Sequence, residues 1–298
     1  MSPKDSAELT SAFCHRFALN RKGGWPARMA RLQVMHWLIA QRLGRQHWVR
    51  APLFFGESMW VLTGETISGG LLSFGYSETA LTALMLRVLR PGMRFVDVGA
   101  HLGYEALLAC ALVGESGRVV SYEPQAGIAR YTARNLKPFP QAKLLVSAVA
   151  DYKGELAFDE LPLARSAFSG TVAGMSGSRR ITVAVTTLDD GLLGDARPVD
   201  FIKVDVEGGE MAVLRGAMDV LERDRPCIVL EAEMPSGSAP RSRVREFSEF
   251  LQPLGYRGIS FDFDGELRLA PLGGLAEGHA NVAFVPAEHP DFQLLERA

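Results

Sequence analysis

The stretch that most constrains the fold is RFVDVGAHLGYEALLACALV, residues 94–113. It holds a short run of strand-forming residues, a turn bounded by Gly99 and Gly103, and a helix of almost unbroken apolar character. A strand reads this way when helices cover both faces of its sheet and leave no face for water. Glycine in such a turn adopts positive φ and lets the backbone approach a ligand closely. The helix that begins there offers free N–H groups, which favour a carboxylate or phosphate.

The same alternation recurs along the chain. RVVSY (118–122) leads into a helix ending near Leu136, KLLVSAV (143–149) is a third strand, and DFIKVDV (200–206) and CIVLE (227–231) are two more, with a helix over 209–221 between them. Strand and helix in alternation predict a doubly wound, mostly parallel α/β sheet. Residues 256–263, 266–269 and 281–285 predict an antiparallel edge. Upstream, 53–55 and 59–62 flank Gly56-Glu57-Ser58 as a hairpin, and Ser77 caps a helix over 78–89. Between the third and fourth strands, hairpin-like runs at 154–159 and 181–185 enclose a Ser/Gly-rich stretch, 166–178, long enough to form a lid. The division expected is a basic helical and hairpin extension, 1–73, followed by a catalytic domain, 74–298.

With 298 residues, 47% hydrophobic content and a net charge of −2, the chain can bury a sizeable core, which excludes a disordered or fibrous protein. Cys14, Cys110 and Cys227 show neither CxxC nor CxH spacing, so a reducing compartment is expected. The longest apolar run, 106–113, is far short of a bilayer span, and no signal pattern opens the chain. A soluble, cytoplasmic protein is the expectation. Charge is unevenly placed, because Asp5 and Glu8 are the only acids before Arg50 while Lys and Arg recur throughout. Over 26–45, Met29, Leu32, Met35 and Trp37 recur at near-helical spacing among Arg28, Arg31, Arg42 and Arg45. This reads as a basic amphipathic helix, either packed on the main domain or in weak contact with an anionic membrane surface. No nucleic-acid recognition motif accompanies these arginines, and no nucleic-acid partner is expected.

The chemistry centres on two places. In the turn, His101 stands where a dinucleotide fingerprint GxGxxG needs its second glycine, and Asp97 adds negative charge where a pyrophosphate would lie. That charge suits a cationic ligand. S-adenosylmethionine fits, with a sulfonium, an ammonium and a single carboxylate. Glu123, ending the second strand before Pro124, is placed to accept from two ribose hydroxyls, and Ser147 and Ala148 would lie along the adenine. The second place is IKVDVEGGE (202–210), where Asp205 and Glu207 interrupt an apolar strand at its carboxyl end, the end that faces the ligand crevice in such sheets. Glu231 ends the next strand. Asp205 could be a general base for a hydroxyl; Asp205, Glu207 and Glu231 could instead hold a divalent cation such as Mg²⁺; or Lys203 and these acids form a structural pair.

These residues resemble the FkbM-type S-adenosylmethionine-dependent methyltransferases over about 75–233. The resemblance is carried by GYSE (75–78), PGMRFVDVGAHLGYEALLA (91–109), GRVVSYEP (117–124), TLDD (187–190), DFIKVDVEGGEMAVLRGA (200–217) and RPCIVLE (225–231). It implies a seven-stranded Rossmann-like class I methyltransferase that O-methylates a sugar, glycolipid or polyketide hydroxyl, so the partner is a small-molecule or glycan acceptor. It places Tyr76, Glu78, Asp97, Gly99, Ala100, His101, Gly103, Glu123, Pro124, Ser147, Ala148 and Asp205 around the cofactor, with Asp205, Glu207 and Glu231 as the catalytic acids. His101 departs from the family's usual Asn. The alternatives are a nucleotide-cofactor (NAD-type) oxidoreductase, which His101 disfavours, and a non-catalytic cofactor-binding module.

Overall fold

The computed structural model describes residues 4–21, 46–169, 177–232, 240–272 and 281–289. The basic helix expected at 26–45 lies outside the described residues, as do residues 170–176 of the expected lid. An N-terminal helix α1 (Ser6–Arg21) is followed by a two-stranded ribbon, β1 (Trp48–Pro52) and β2 (Ser58–Leu62), and by helices α2 (Thr66–Phe74) and α3 (Thr79–Val88). Then the alternation begins: β3 (Arg94–Val98), α4 (Tyr104–Val113), β4 (Arg118–Tyr122), α5 (Ala126–Leu136), β5 (Ala142–Leu145). An excursion follows through β6 (Ala148–Val149), β7 (Gly154–Glu160), a 3-10 turn at Leu163–Phe168, and β8 (Arg179–Thr186). The chain returns through α6 (Leu188–Leu192), β9 (Phe201–Val204), α7 (Glu210–Arg215), α8 (Met218–Asp224) and β10 (Cys227–Glu231). It closes with α9 (Pro240–Leu251), β11 (Tyr256–Phe263), β12 (Leu267–Pro271) and β13 (Asn281–Pro286).

The main sheet has eight strands in the order β12-β11-β13-β10-β9-β3-β4-β5. From β10 to β5 every pairing is parallel, and β13, β11 and β12 add antiparallel pairings at one edge. The expected seven-stranded sheet is present, with β12 as an eighth strand on its rim. Every residue of β3 is buried, and so is every residue of α4, as a helix apolar on all sides requires. The strand order reverses between β3 and β9. Open α/β sheets bind ligands at such a switch point, outside the carboxyl ends of the strands. The β3–β9 register sets Asp97 beside Lys203 and Val98 beside Val204.

Three elements differ from the sequence reading. The hairpin pairs 48–52 with 58–62, while Leu53, Phe54 and Phe55 form its buried turn, closed by Leu53 N–H donating to the Glu57 carbonyl at 2.8 Å. The expected third strand divides after Leu145, because β6 leaves the main sheet to pair with β8. The helix expected over 209–221 breaks near Gly216, where a Cβ would lie 2.0 Å from the Ala150 carbonyl oxygen. That close crossing leaves glycine as the residue that fits.

Helix α1 sends Phe13 into the core, with ring centroids 5.2 Å from Phe54, 5.2 Å from Tyr76 and 5.0 Å from Phe263. No helix among the described residues is long and apolar enough to cross a membrane. Truncation of Phe13 to alanine should cost about 3–5 kcal/mol, as for a fully buried phenylalanine. Urea unfolding measures it, and a loss under about 1 kcal/mol would show that α1 is not part of the cooperative core.

Candidate active site

The turn after β3 is fixed from below by the end of β9. Gly99 has φ +83°, and a Cβ there would lie 1.8 Å from the Asp205 carbonyl oxygen. Its glycine is therefore demanded by the crossing of two loops of the protein, not by approach of a ligand. Asp205 N–H donates to the Val98 carbonyl at 3.0 Å, which locks the two turns together. Gly103, φ +86°, then starts α4.

Between the glycines, His101 sits at φ +46° and is held from three directions. Its N–H donates to Glu123 Oε2 at 2.9 Å, its carbonyl accepts from the Thr132 hydroxyl, and its Nε2 lies 2.8 Å from Ser166 Oγ. Gln125 N–H donates to the other Glu123 oxygen at 2.8 Å. The Glu123 carboxylate is thus aimed by backbone on both sides while each oxygen keeps a lone pair. The Ser166 carbonyl accepts from Gln125 Nε2 at 3.1 Å. These bonds draw the 3-10 turn of the excursion onto the loops of β3 and β4.

These loops enclose a cavity of about 400 Å³. Its lining includes Glu78, Gly99, Ala100, His101, Gly103, Glu123, Pro124, Ser147, Ala148, Asp205 and Glu207 from the sequence reading. Ser147 Oγ is buried with no hydrogen-bond partner. Three expected residues, Glu231, Tyr76 and Asp97, are absent from that lining, with Glu231 standing beside Asp205 at the end of β10. Tyr76 packs with Phe13 and Phe74 and accepts from Asn20 Nδ2 at 2.8 Å, away from the cavity lining. Asp97 is fully buried behind Lys203, 3.8 Å from its Nζ, and does not line the cavity. Ser77 does not cap α3 with its side chain; Glu78 occupies the cap position at φ +37°, without a side-chain cap bond.

Lys203 joins the two halves of the site. Its ammonium lies 3.1 Å from Asp205 Oδ2 and donates to the Gly99 carbonyl at 3.3 Å. Burial opposes its charge, but Asp205, Asp97, Glu105 and Glu78 outweigh burial and hold its pKa well above the usual lysine value. Asp205 also overcomes burial: Lys203 and a hydrogen bond with Glu231 keep its carboxyl below the ordinary range. The other acids go the opposite way, first through burial and then through mutual repulsion. Glu78 is raised to about 8, Glu105 to about 7 and Asp97 to about 6. Burial alone raises Glu123, to about 7, against the lowering effect of its hydrogen bonds from Gln125 and His101.

Asp205, Glu207 and Glu231 bring one carboxylate oxygen each within 4.8 Å of one another. Burial and the charge of Asp205 raise Glu231 to about 10, so it carries a proton and shares it with Asp205. With the Lys203 ammonium on its other side, Asp205 is already compensated. In this state the Lys203 ammonium and the proton shared by Asp205 and Glu231 offset the charge of the three acids.

Sequence reasoning missed Glu105, Gln125 and Ser166. Glu105 carried a signal, an acid in the first turn of a helix otherwise wholly apolar. Ser166 and Gln125 carried none, because their partners are far away in sequence.

The Methyltransferase FkbM domain matches residues 97–257, and the chain belongs to that family. It is 28% identical over 207 residues to the AMB antimetabolite synthetase AmbE of Pseudomonas aeruginosa, a match covering 57% of this chain and 10% of the synthetase. This chain therefore spans only a small part of that relative. Among solved structures it is similar to the methyltransferase FkbM from Methylobacillus flagellatus, at 15% identity, TM-score 0.42, and 73% and 52% coverage of the two chains. It is also similar to an O-methyltransferase from Bacillus cereus in complex with SAH, at 13% identity, TM-score 0.41, and 69% and 79% coverage.

The raised carboxyls make a signed prediction. Folded, they keep protons that the unfolded chain has released, so stability should fall as pH rises from about 4.5 to about 8. Glu78→Gln should flatten the upper part of that fall in urea titrations between pH 6 and 8. An unchanged slope would mean that Glu78 does not titrate in that window.

Proposed function

We propose that the chain is an S-adenosylmethionine-dependent O-methyltransferase acting on a hydroxyl of a sugar, glycolipid or polyketide-type acceptor, in the cytoplasm. The observation that carries the reading is the cavity at the switch point, with the backbone-clamped carboxylate of Glu123 on one wall and ionised Asp205 on another. Its size lies within the range of about 300–1,000 Å³ common for small-molecule and cofactor sites.

The residues present fit this cofactor. Glu123 has lone pairs free for two ribose hydroxyls, and Ser147 supplies an unpartnered hydroxyl at the adenine side. The acids around Lys203 outnumber it, which favours a ligand with net positive charge. When bound, S-adenosylmethionine supplies a methyl group on a good leaving group, so alignment of the acceptor oxygen provides most of the acceleration. Asp205 takes the acceptor's proton. Its lowered pKa makes it a weak base, which is sufficient once the C–O bond forms and the oxygen bears positive charge. Lys203 and Glu231 hold it in place. No step is assigned to a metal.

Isothermal titration with S-adenosylmethionine and S-adenosylhomocysteine tests the cofactor assignment. Glu123→Ala should weaken binding by at least about tenfold, since it removes a buried acceptor for two hydrogen bonds. Asp205→Asn should lower methyl transfer by about a hundredfold while changing cofactor affinity less than Glu123→Ala does. Failure of the unaltered protein to bind either cofactor would sink the methyltransferase reading.

A further inference from the structure

The surface carries one feature that the catalytic reading leaves unused. On the outer face of the β1–β2 ribbon, Arg50 pairs across the strands with Trp60. The Arg134 guanidinium covers the Trp60 ring at 3.8 Å. One helical turn earlier, Arg130 lies over Tyr131 at 4.8 Å, and Tyr131 stacks on Trp48 with centroids 3.3 Å apart. Ribbon and helix are fastened together by Asn135, whose side chain accepts from Trp60 N–H at 2.6 Å and donates to the Trp60 carbonyl at 3.1 Å. The result is a continuous belt of guanidinium groups and aromatic rings, with exposed Lys137 just beyond the end of α5.

Its charge is uncompensated. Elsewhere on the surface, Arg179, Arg215 and Arg268 are paired with Glu160, Asp151 and Asp264. Among the described residues, Arg50, Arg130, Arg134 and Lys137 are in no ion pair, and all four are exposed. The sequence explains why: residues 9–56 and 126–150 contain no Asp or Glu. A surface that keeps acids away from several cations, on a chain of net charge −2, is complementary to an extended anion.

We propose that this belt docks the protein on an anionic phospholipid surface. The ring faces favour lipid over single-stranded nucleic acid. Stacking platforms for bases need open faces, whereas Trp60 is covered by Arg134, and Trp48 and Tyr131 cover each other. Half-buried rings beside exposed guanidinium groups are the combination suited to the headgroup layer, where amphipathic aromatics settle and each cation adds attraction. The chain leading into β1 has the same character, because residues 22–45 combine Lys22, Arg28, Arg31, Arg42 and Arg45 with Trp25, Trp37, Leu38 and Ile39 and no acid.

The test is sedimentation of the full chain with vesicles of phosphatidylcholine alone or of phosphatidylcholine and phosphatidylglycerol in equal parts. Binding is expected only with phosphatidylglycerol present, weakening as sodium chloride is raised. Arg130→Glu with Arg134→Glu should reduce vesicle affinity by at least about tenfold, with the thermal unfolding midpoint unchanged within a few degrees. If that double variant does not fold, Arg130→Gln with Arg134→Gln replaces it, with a smaller loss expected. No binding to anionic vesicles, equal binding by a folded variant, or tighter binding to a single-stranded RNA competitor would each overturn the proposal.

Discussion

Burial of the Lys203 ammonium is the interaction on which the site depends. It is 3% exposed and sits between Asp97 on β3 and Asp205 after β9. An ammonium in such a place costs several kcal/mol unless carboxylates surround it, and the carboxylates are as costly without it. The parallel register fixes the arrangement, since Asp97 and Lys203 are direct neighbours across the two strands at the switch point. Burial first, and then mutual repulsion that one cation does not cancel, raises the pKa values of Glu78, Glu105 and Asp97. Raised in this way, Glu78 holds a proton near neutral pH, and that proton offsets part of the excess charge around Lys203.

Backbone strain marks the same region independently. Among the described residues, four other than glycine have positive φ: Glu78, His101, Glu207 and Arg225. Three of them line the cavity. Such conformations cost about 1–3 kcal/mol each and persist where the surroundings over-determine them. Glu78 is held by Asn281 Nδ2 at 3.0 Å, and His101 by Glu123, Thr132 and Ser166. Strain concentrated at one cavity belongs to a site, and the electrostatics point to the same residues.

The parts of this arrangement that are local in sequence were legible there. The strand, turn and helix of 94–113 announce themselves by period and glycine, and Asp205 and Glu207 stand out as charges in an apolar strand. Misreadings came where tertiary packing overrides local signal. Phe54 and Phe55 read as strand by propensity, yet their rings fill the core against Phe13 and Tyr104, and the backbone that carries them is a turn. The family resemblance of GYSE (75–78) placed Tyr76 near the cofactor. The left-handed backbone at Glu78 reorients the chain there, and Tyr76 goes to the aromatic cluster instead. Gly99 was read as room for a ligand, when the room is taken by Asp205. Contacts such as His101 with Ser166 join positions that no periodicity relates.

Helix α5 shows how one element serves both the site and the surface. Its inner side carries Thr132, which holds the His101 carbonyl, and Asn135, which holds the Leu102 carbonyl at 2.9 Å. Its outer side carries Arg130, Tyr131 and Arg134. Because Asn135 also holds Trp60, the ribbon, the helix and the glycine turn are one hydrogen-bonded unit. The belt and the turn that holds His101 are thus joined by direct hydrogen bonds through α5. An acceptor presented at a surface touching the belt would meet a cofactor turn already fixed relative to that surface, and alignment is the larger part of what a displacement at a sulfonium requires.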